Sequence, residues 1–124
     1  MPTEQERNVE WAEAIKQVKP YLQEGVKYDK GKLRFDLLPV YPLEALVEVY
    51  TFGASKYEDR NWEKGISWSR VFAAMMRHLW AYWRGENNDP ESNLPHLAHA
   101  AWGCFALLEY SQRRKEFDDR AGYQ

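Results

Sequence analysis

The sequence predicts an all-α fold, a four-helix bundle-like domain with irregular loops. Three observations carry that expectation. Apolar residues recur at helical spacing in four stretches. Those stretches are separated by segments rich in Gly, Pro, Asn and Asp. No stretch of useful length alternates as a strand would. With 124 residues the chain is expected to form a single domain, with an N-terminal helix and linker over 1–25, a helical core over 26–116 and a tail over 117–124.

The first helix is expected from about Thr3 to Leu22. Thr3 and Glu6 have the spacing of a capping box, and Val9, Ala12, Ile15 and Val18 mark a weakly apolar face. Pro20 and Gly25 are its stop signals. A basic loop follows, with Lys27, Lys30, Lys32 and Arg34. The second helix is expected from about Pro42, a good first-turn residue, to Tyr57, with Leu43, Leu46, Val47, Tyr50 and Ala54 on one face. After a polar, aromatic loop over 56–65, the third helix starts near Ser67 or Ser69 and ends at Gly85. Its apolar stripe reads Phe72, Met75, Met76, Leu79 and Trp83. Arg70, Arg77 and Arg84 recur every seventh residue on the other side. An acidic turn, 86–90, leads to a fourth helix from about Ser92 or Asn93 to Lys115, with Pro95 in its first turn. The tail beyond Asp118 is expected to fray.

Composition narrows the function classes. The formal net charge of −2 gives no global electrostatic case for nucleic-acid binding, so no nucleic-acid partner is expected. Cys104 is the only cysteine, which excludes an internal disulfide and a thiolate metal cluster. The polar N-terminus lacks a signal-peptide core, and no run reaches the length of a membrane span. A cytoplasmic location with no membrane contact is therefore expected. Aromatic residues make up 15% of the chain, enough to line interfaces and base-stacking surfaces as well as a core.

Several constellations could carry chemistry. Glu44 and Glu48 sit one helical turn apart, where like charges repel and a hard divalent cation would relieve the repulsion. Glu86, Asp89 and Glu91 crowd one helix–helix junction. Capping of the following helix is the structural explanation open to them. His96 and His99 share a face at the start of the fourth helix. Near a helix N-terminus imidazole tends towards the neutral form, which ligates metals or accepts protons. Lys56 and Arg77, the latter flanked by Ala73, Ala74 and Ala81, could meet phosphates. Trp62 beside Asn61, with Tyr57 near, offers a ring and an amide for a base. Phosphate-loop, dinucleotide-fold, HExxH and CxxC motifs are absent.

The segments KGKLRFDLLPVYPLEAL, GASKYEDRNWEKG and RHLWAYWRGENNDPESNLPHLAHAAW resemble the N-terminal dATP/dGTP diphosphohydrolase-like domain common in bacteriophage genomes. The likeness runs from about Lys27 to Leu108. That domain is in turn distantly similar to the all-α nucleoside triphosphate pyrophosphohydrolases of the MazG type. The resemblance implies cleavage between the α and β phosphates of a purine (deoxy)nucleoside triphosphate, with Mg²⁺ or Mn²⁺ held by an ExxE pair and an ExxD pair. Glu44 and Glu48 resemble the first pair with one extra residue of spacing. The second pair is either Glu86 and Asp89, by letters, or His96 and His99, by helix context. The implied metal ligands are thus Glu44, Glu48, Glu86, Asp89, His96 and His99. Glu48, with Glu44, is implied in catalysis. The implied substrate contacts are Lys56, Tyr57, Asn61, Trp62, Arg77 and His78. A homo-oligomer is implied as well, and so is host cytoplasm if the chain is phage-encoded. Histidines in place of carboxylates leave a second reading open, a nucleotide-binding sponge or sensor without hydrolysis.

Overall fold

The computed structural model describes residues 1–18 and 23–122. They form four α-helices and three short 3₁₀ turns: α1 (Glu4–Val18), α2 (Val40–Lys56), α3 (Trp68–Trp83) and α4 (His96–Arg113), with turns at Phe35–Leu37, Asn61–Lys64 and Lys115–Phe117. The only β feature among the described residues is an isolated bridge between Asn88 and Pro95, so the fold is all-α. No helix of the described residues is long and apolar enough to cross a membrane. The expected end of the first helix at Leu22, and Pro20 as its stop signal, lie outside the described residues.

The chain divides into two compact units, Met1–Leu38 and Pro39–Gln124. In the first, the capping box forms as its spacing predicts. The Glu6 N–H donates to Thr3 Oγ1 and the Thr3 N–H to Glu6 Oε2, each at 3.0 Å. Polar ties hold the unit together. Asn8, nearly fully buried, donates through Nδ2 to the Glu4 carbonyl and accepts the Lys30 N–H. The apolar face expected on this helix is not a core: Val9 is exposed and Ile15 only half-buried. Fewer than about 40 residues rarely enclose an apolar core, and here hydrogen bonds do the organising. The basic loop is locally neutralised, with Lys30 on Glu10, Lys32 on Glu4 and Arg34 on Asp36.

In the second unit α4 is central, packed against α3 along its length and against α2. It buries mainly small residues, Ala98, Ala100, Gly103 and Ala106, and this lets its neighbours come close. A Cβ on Gly103 would lie 2.0 Å from Met75 Cγ, so only glycine allows this approach to α3. The main core cluster is Trp68, Val71, Ala106 and Tyr110, with Trp62, Met75, Trp102 and Phe117 packed on it. A second joins Ala45 and Val49 of α2 to Ala98.

Two expectations are corrected here. The core side of α3 is Trp68, Val71, Met75 and Ala81. Of the predicted stripe, Phe72, Leu79 and Trp83 are exposed. Apolar residues cover two flanks of this helix, and periodicity cannot say which flank meets a neighbour. The tail does not fray at Asp118. Phe117 packs on the core, and the Asp119 carboxylate accepts the N–H and hydroxyl of Ser69. That carboxylate supplies the cap that Ser67 does not provide at the start of α3.

Candidate functional site

A cleft of about 990 Å³ opens in the second unit, walled by the end of α2, the 57–63 loop, one flank of α3, the 89–91 turn and the first turns of α4. Lys56, Tyr57, Asn61, Trp62, Arg77 and His78 all line it, so the fold brings together every residue expected to contact substrate. Arg70, Asp89, Glu91 and His99 line it too. Glu44 and Glu48 do not; both are exposed on α2.

The loop wall is fixed from behind. The Asn61–Lys64 turn begins at Arg60, in the left-handed region (φ 60°), and ends at Gly65 (φ 107°). Two side chains from the end of α4 hold its carbonyls: the Tyr110 hydroxyl donates to Trp62 O, and Arg114 Nε donates to Glu63 O at 2.9 Å. Tyr110 is fully buried. Burial pushes its phenol up to about 12, so it remains a donor at neutral pH. The Trp62 ring meets Tyr50 and Trp102 edge-on at centroid distances of 5.9 and 6.1 Å.

The floor at the other end is a histidine cluster that only the fold assembles. His78, eleven residues into α3, meets His96 and His99 on α4. The Nδ1 atoms of His78 and His96 are 2.8 Å apart, and the rings of His78 and His99 stack at 4.5 Å. His96 is buried, and its Nε2 lies 2.6 Å from Glu86 Oε1. A carboxylate can only accept, so Nε2 of His96 carries the hydrogen. In the neutral ring Nδ1 is then a lone pair, and His78 Nδ1–H donates to it. This tautomer leaves Nε2 of His78 as a free lone pair.

Asp89 is set by its own turn. Ser92 donates to Asp89 Oδ2 through its N–H at 3.0 Å and lies within reach through Oγ at 3.2 Å; the same Oγ is 2.7 Å from His99 Nε2. Burial pushes the Asp89 carboxyl up, but the Ser92 bonds and the neighbouring histidines outweigh it and hold the pKa below the ordinary value. Burial also lowers His99, and it lowers His78 to about 4, helped by the charges His99 and His96 would carry. Both are neutral at pH 7.

His78, Asp89 and His96 each offer one ligand atom, all within 4.8 Å of one another. This trio fits a divalent cation. Two ligands at right angles, each about 2.1 Å from an ion, would be about 3.0 Å apart, close to the Nδ1 separation, and binding an ion through both would require the His78 hydrogen to move from Nδ1 to Nε2. Glu86 on the far nitrogen of His96 supplies the orienting carboxylate such sites use. The structure therefore joins members of both candidate second pairs. Asp89 and His96 share the trio, Glu86 stands behind His96, and His99 stacks alongside. His78, expected at the substrate, sits among the ligand atoms. Its partner lies eighteen residues away on another helix, so no sequence spacing signalled it.

Cations face this cluster along the cleft. Lys56 is paired with Glu91, whose carboxylate raises its pKa, and its ammonium also lies over the Tyr57 ring. Arg70 and Arg77 have no carboxylate partner among the described residues, and Ala74 between them leaves room on the wall.

The all-α fold thus holds a cleft with His78, Asp89 and His99 at one end, arginines on its wall and an indole at the other. Residues 23–120 match the family model described as dATP/dGTP diphosphohydrolase, N-terminal, and the chain belongs to that family. It is 32% identical over 96 residues to a protein of Salmonella phage PMBT28 named dATP/dGTP diphosphohydrolase. That match spans 77% of this chain and 33% of the relative, so the chain covers about a third of its relative's length. No solved structure matches it.

Proposed function

We propose that the cleft binds a purine (deoxy)nucleoside triphosphate and that the chain hydrolyses it between the α and β phosphates, releasing a monophosphate and pyrophosphate with Mn²⁺ or Mg²⁺. The observation that carries this reading is the convergence, in one cleft, of His78 and Asp89, which form a candidate ligand trio with the buried His96 behind them, and of Arg70, Arg77 and the Trp62 loop. Family membership and the relative's name support the substrate class.

Trp62 and Tyr57 stack on the base, and Asn61 offers an amide to its edge. Arg70 and Arg77 hold phosphate oxygens, while Lys56 exchanges Glu91 for phosphate. His78, Asp89 and His96 would hold the ion, and the mixed imidazole–carboxylate set suits Mn²⁺ better than Mg²⁺. A divalent ion there supplies charge to offset the phosphates and acidity for water. His99 stays neutral and is fixed through Nε2 by Ser92. Its Nδ1 has no hydrogen bond to a described residue and can accept a proton from water. The roles first considered for Glu44 and Glu48 have no support from the cleft, which neither residue lines.

The test is a chromatographic screen of (d)NTPs with Mn²⁺ or Mg²⁺, following monophosphate and pyrophosphate. Turnover of a purine triphosphate, reduced at least about tenfold by Asp89→Asn, is the expected result. One observation favours a second reading, binding without hydrolysis: the cleft holds two imidazoles where a carboxylate-rich site would bind Mg²⁺. Retention of a nucleotide without conversion would establish that reading. Neither conversion nor retention would overturn both.

A further inference from the structure

One hydroxyl group stands between two of the side chains that close the histidine end of the cleft. The turn from Asp89 to Leu94 brings it there. The Asp89 N–H donates to the Leu94 carbonyl at 2.8 Å and the Asn93 N–H to the Asp89 carbonyl at 2.7 Å, with Asn93 in the left-handed region (φ 58°). Within this closed loop the Ser92 N–H donates to Asp89 Oδ2 at 3.0 Å, and Ser92 Oγ accepts the Leu94 N–H at 3.1 Å. Ser92 Oγ is thereby placed 2.7 Å from His99 Nε2 and 3.2 Å from Asp89 Oδ2. Asp89 and His99 line the cleft, whereas Ser92 sits behind them.

The direction of these bonds follows from the hydrogens available. A hydroxyl has one hydrogen to give and two lone pairs to accept with, and the Leu94 N–H takes one lone pair. The Asp89 carboxylate can only accept, whereas a ring nitrogen can donate or accept. Were the hydroxyl hydrogen given to His99, Ser92 Oγ and Asp89 Oδ2 would face each other at 3.2 Å with no hydrogen between them. Given to Asp89, it leaves the second lone pair to accept Nε2–H of His99, and every contact is a hydrogen bond. The donors therefore run from His99 Nε2–H to Ser92 Oγ–H to Asp89 Oδ2. This order holds for the neutral and the charged ring alike, because Nε2 carries a hydrogen in both. In the neutral ring the lone pair is then on Nδ1, which has no hydrogen bond to a described residue. The ring is also held by its neighbours: it stacks on His78 at 4.5 Å and 8°, and it meets Phe52 edge-on at 6.3 Å.

We infer that Ser92 is a positioning residue of the cleft: its hydroxyl ties the His99 ring to Asp89 and so sets His99 to offer a lone pair at Nδ1, not an N–H. The tautomer stands on the hydrogen-bond geometry alone. Its chemical consequence rests on the reading of the cleft as a hydrolase site. An Nδ1 lone pair can take the hydrogen of an attacking water, whereas Nδ1–H would be one more donor to phosphate and no base. The hydroxyl also places both Ser92 contacts on Oδ2 of Asp89, so that Oδ1 accepts no hydrogen bond from a described residue. One side chain outside the cleft thus sets the ring of one lining residue and the carboxylate of another.

Long-range proton–nitrogen NMR spectra of the histidine rings test it in the metal-free full chain at pH 8, with His99→Gln to assign the signal among the three histidines. The expected result is hydrogen on Nε2 of His99 in the wild type and in Ser92→Thr, and a mixture of both tautomers in Ser92→Ala. With a triphosphate that the wild type turns over, Ser92→Ala should lower kcat at least about tenfold with KM within about twofold, and Ser92→Thr should recover most of the loss. Hydrogen on Nδ1 in the wild type, or an unchanged tautomer in Ser92→Ala, would overturn the inference. So would a Ser92→Ala protein with the wild-type kcat. If no triphosphate is turned over, the hydrolase reading fails, and the spectra alone decide what Ser92 does to the ring. If Ser92→Ala does not fold, the wild-type and Ser92→Thr spectra decide.

Discussion

Tyr110→Phe is the sharpest probe of how the cleft is held. The substitution keeps the ring, and so the packing on Trp68, Val71 and Ala106, and removes only the hydroxyl that fixes the Trp62 carbonyl. That carbonyl also accepts the Gly65 N–H at 3.0 Å, so it is not left without a partner. The loss is therefore the net value of one hydrogen bond, about 1 kcal/mol, and not the larger penalty of an orphaned group. For a chain of this size that is a fall of about 3–6 °C in melting temperature. The loosened turn should weaken nucleotide binding by about two- to fivefold, equivalent to about 0.4–1 kcal/mol. The pH dependence gives an independent check. Burial raises the phenol to about 12, against about 10 in the unfolded chain. A raised folded pKa means that the contribution is fully present below pH 10 and is lost as pH rises from 10 towards 12, by up to about 2.7 kcal/mol. The other tyrosines titrate alike in both proteins, so the difference between them isolates this hydroxyl. In urea unfolding the wild type should be the more stable protein at pH 7, and the order should reverse near the top of that window. Equal stability at pH 7, or a difference that stays constant from pH 8 to 12, would refute the anchoring of the turn by Tyr110.

Three further outcomes follow from the same structure. Asp119→Ala removes the cap that reaches Ser69 from the far end of the chain and should cost about 1 kcal/mol in chemical denaturation; a neutral result would mean the tail does not cap α3. Gly65→Ala forces a Cβ to 2.3 Å from Phe117 Cε2 at a φ of 107° and should destabilise by about 2–3 kcal/mol, read as a drop in melting temperature. His78, lowered by burial and by its histidine neighbours to about 4, is neutral in the fold. Its contribution is present above the unfolded value near 6.5 and lost as pH falls from there through 4. Discounted for partial exposure, this is about 1–2 kcal/mol of acid destabilisation in metal-free protein, which unfolding curves at pH 7, 5.5 and 4.5 should reveal and His78→Gln should flatten.

What the sequence disclosed follows from the range over which each signal acts. Helical spacing and capping are local, so the four helices and the Thr3–Glu6 box were legible residue by residue. The lining of the cleft was legible because most of the residues singled out lie in one loop, at the end of α2 and on one row of α3. The grouping of His78, Asp89 and His96 was only half legible. Asp89 and His96 stand out near a helix start, but His78 joins them through a helix crossing that depends on Gly103, and no local pattern announces such a crossing. The same limit applies to Glu44 and Glu48, which do not line the cleft. Two carboxylates one turn apart satisfy a spacing rule anywhere on a helix surface, and the rule does not say what that surface faces.

The order of groups along α3 gives the cleft its polarity. The helix starts beside the Trp62 turn, presents Arg70 and Arg77 on one flank and reaches the cluster at His78. At 1.5 Å per residue, Arg70 and His78 are about 12 Å apart along the axis. Because α4 runs antiparallel to α3, the same helix that contributes His96 and His99 near its start places Tyr110 and Arg114 behind the loop at its end. One helix pair therefore sets both ends of the cleft, the ring-bearing loop and the ligand trio. The close approach of the pair at Gly103 and Met75 therefore bears on the distance between them. A change at that crossing would alter the spacing between ring and ligand atoms without touching either, so the geometry of the cleft is a property of the α3–α4 pair as a whole.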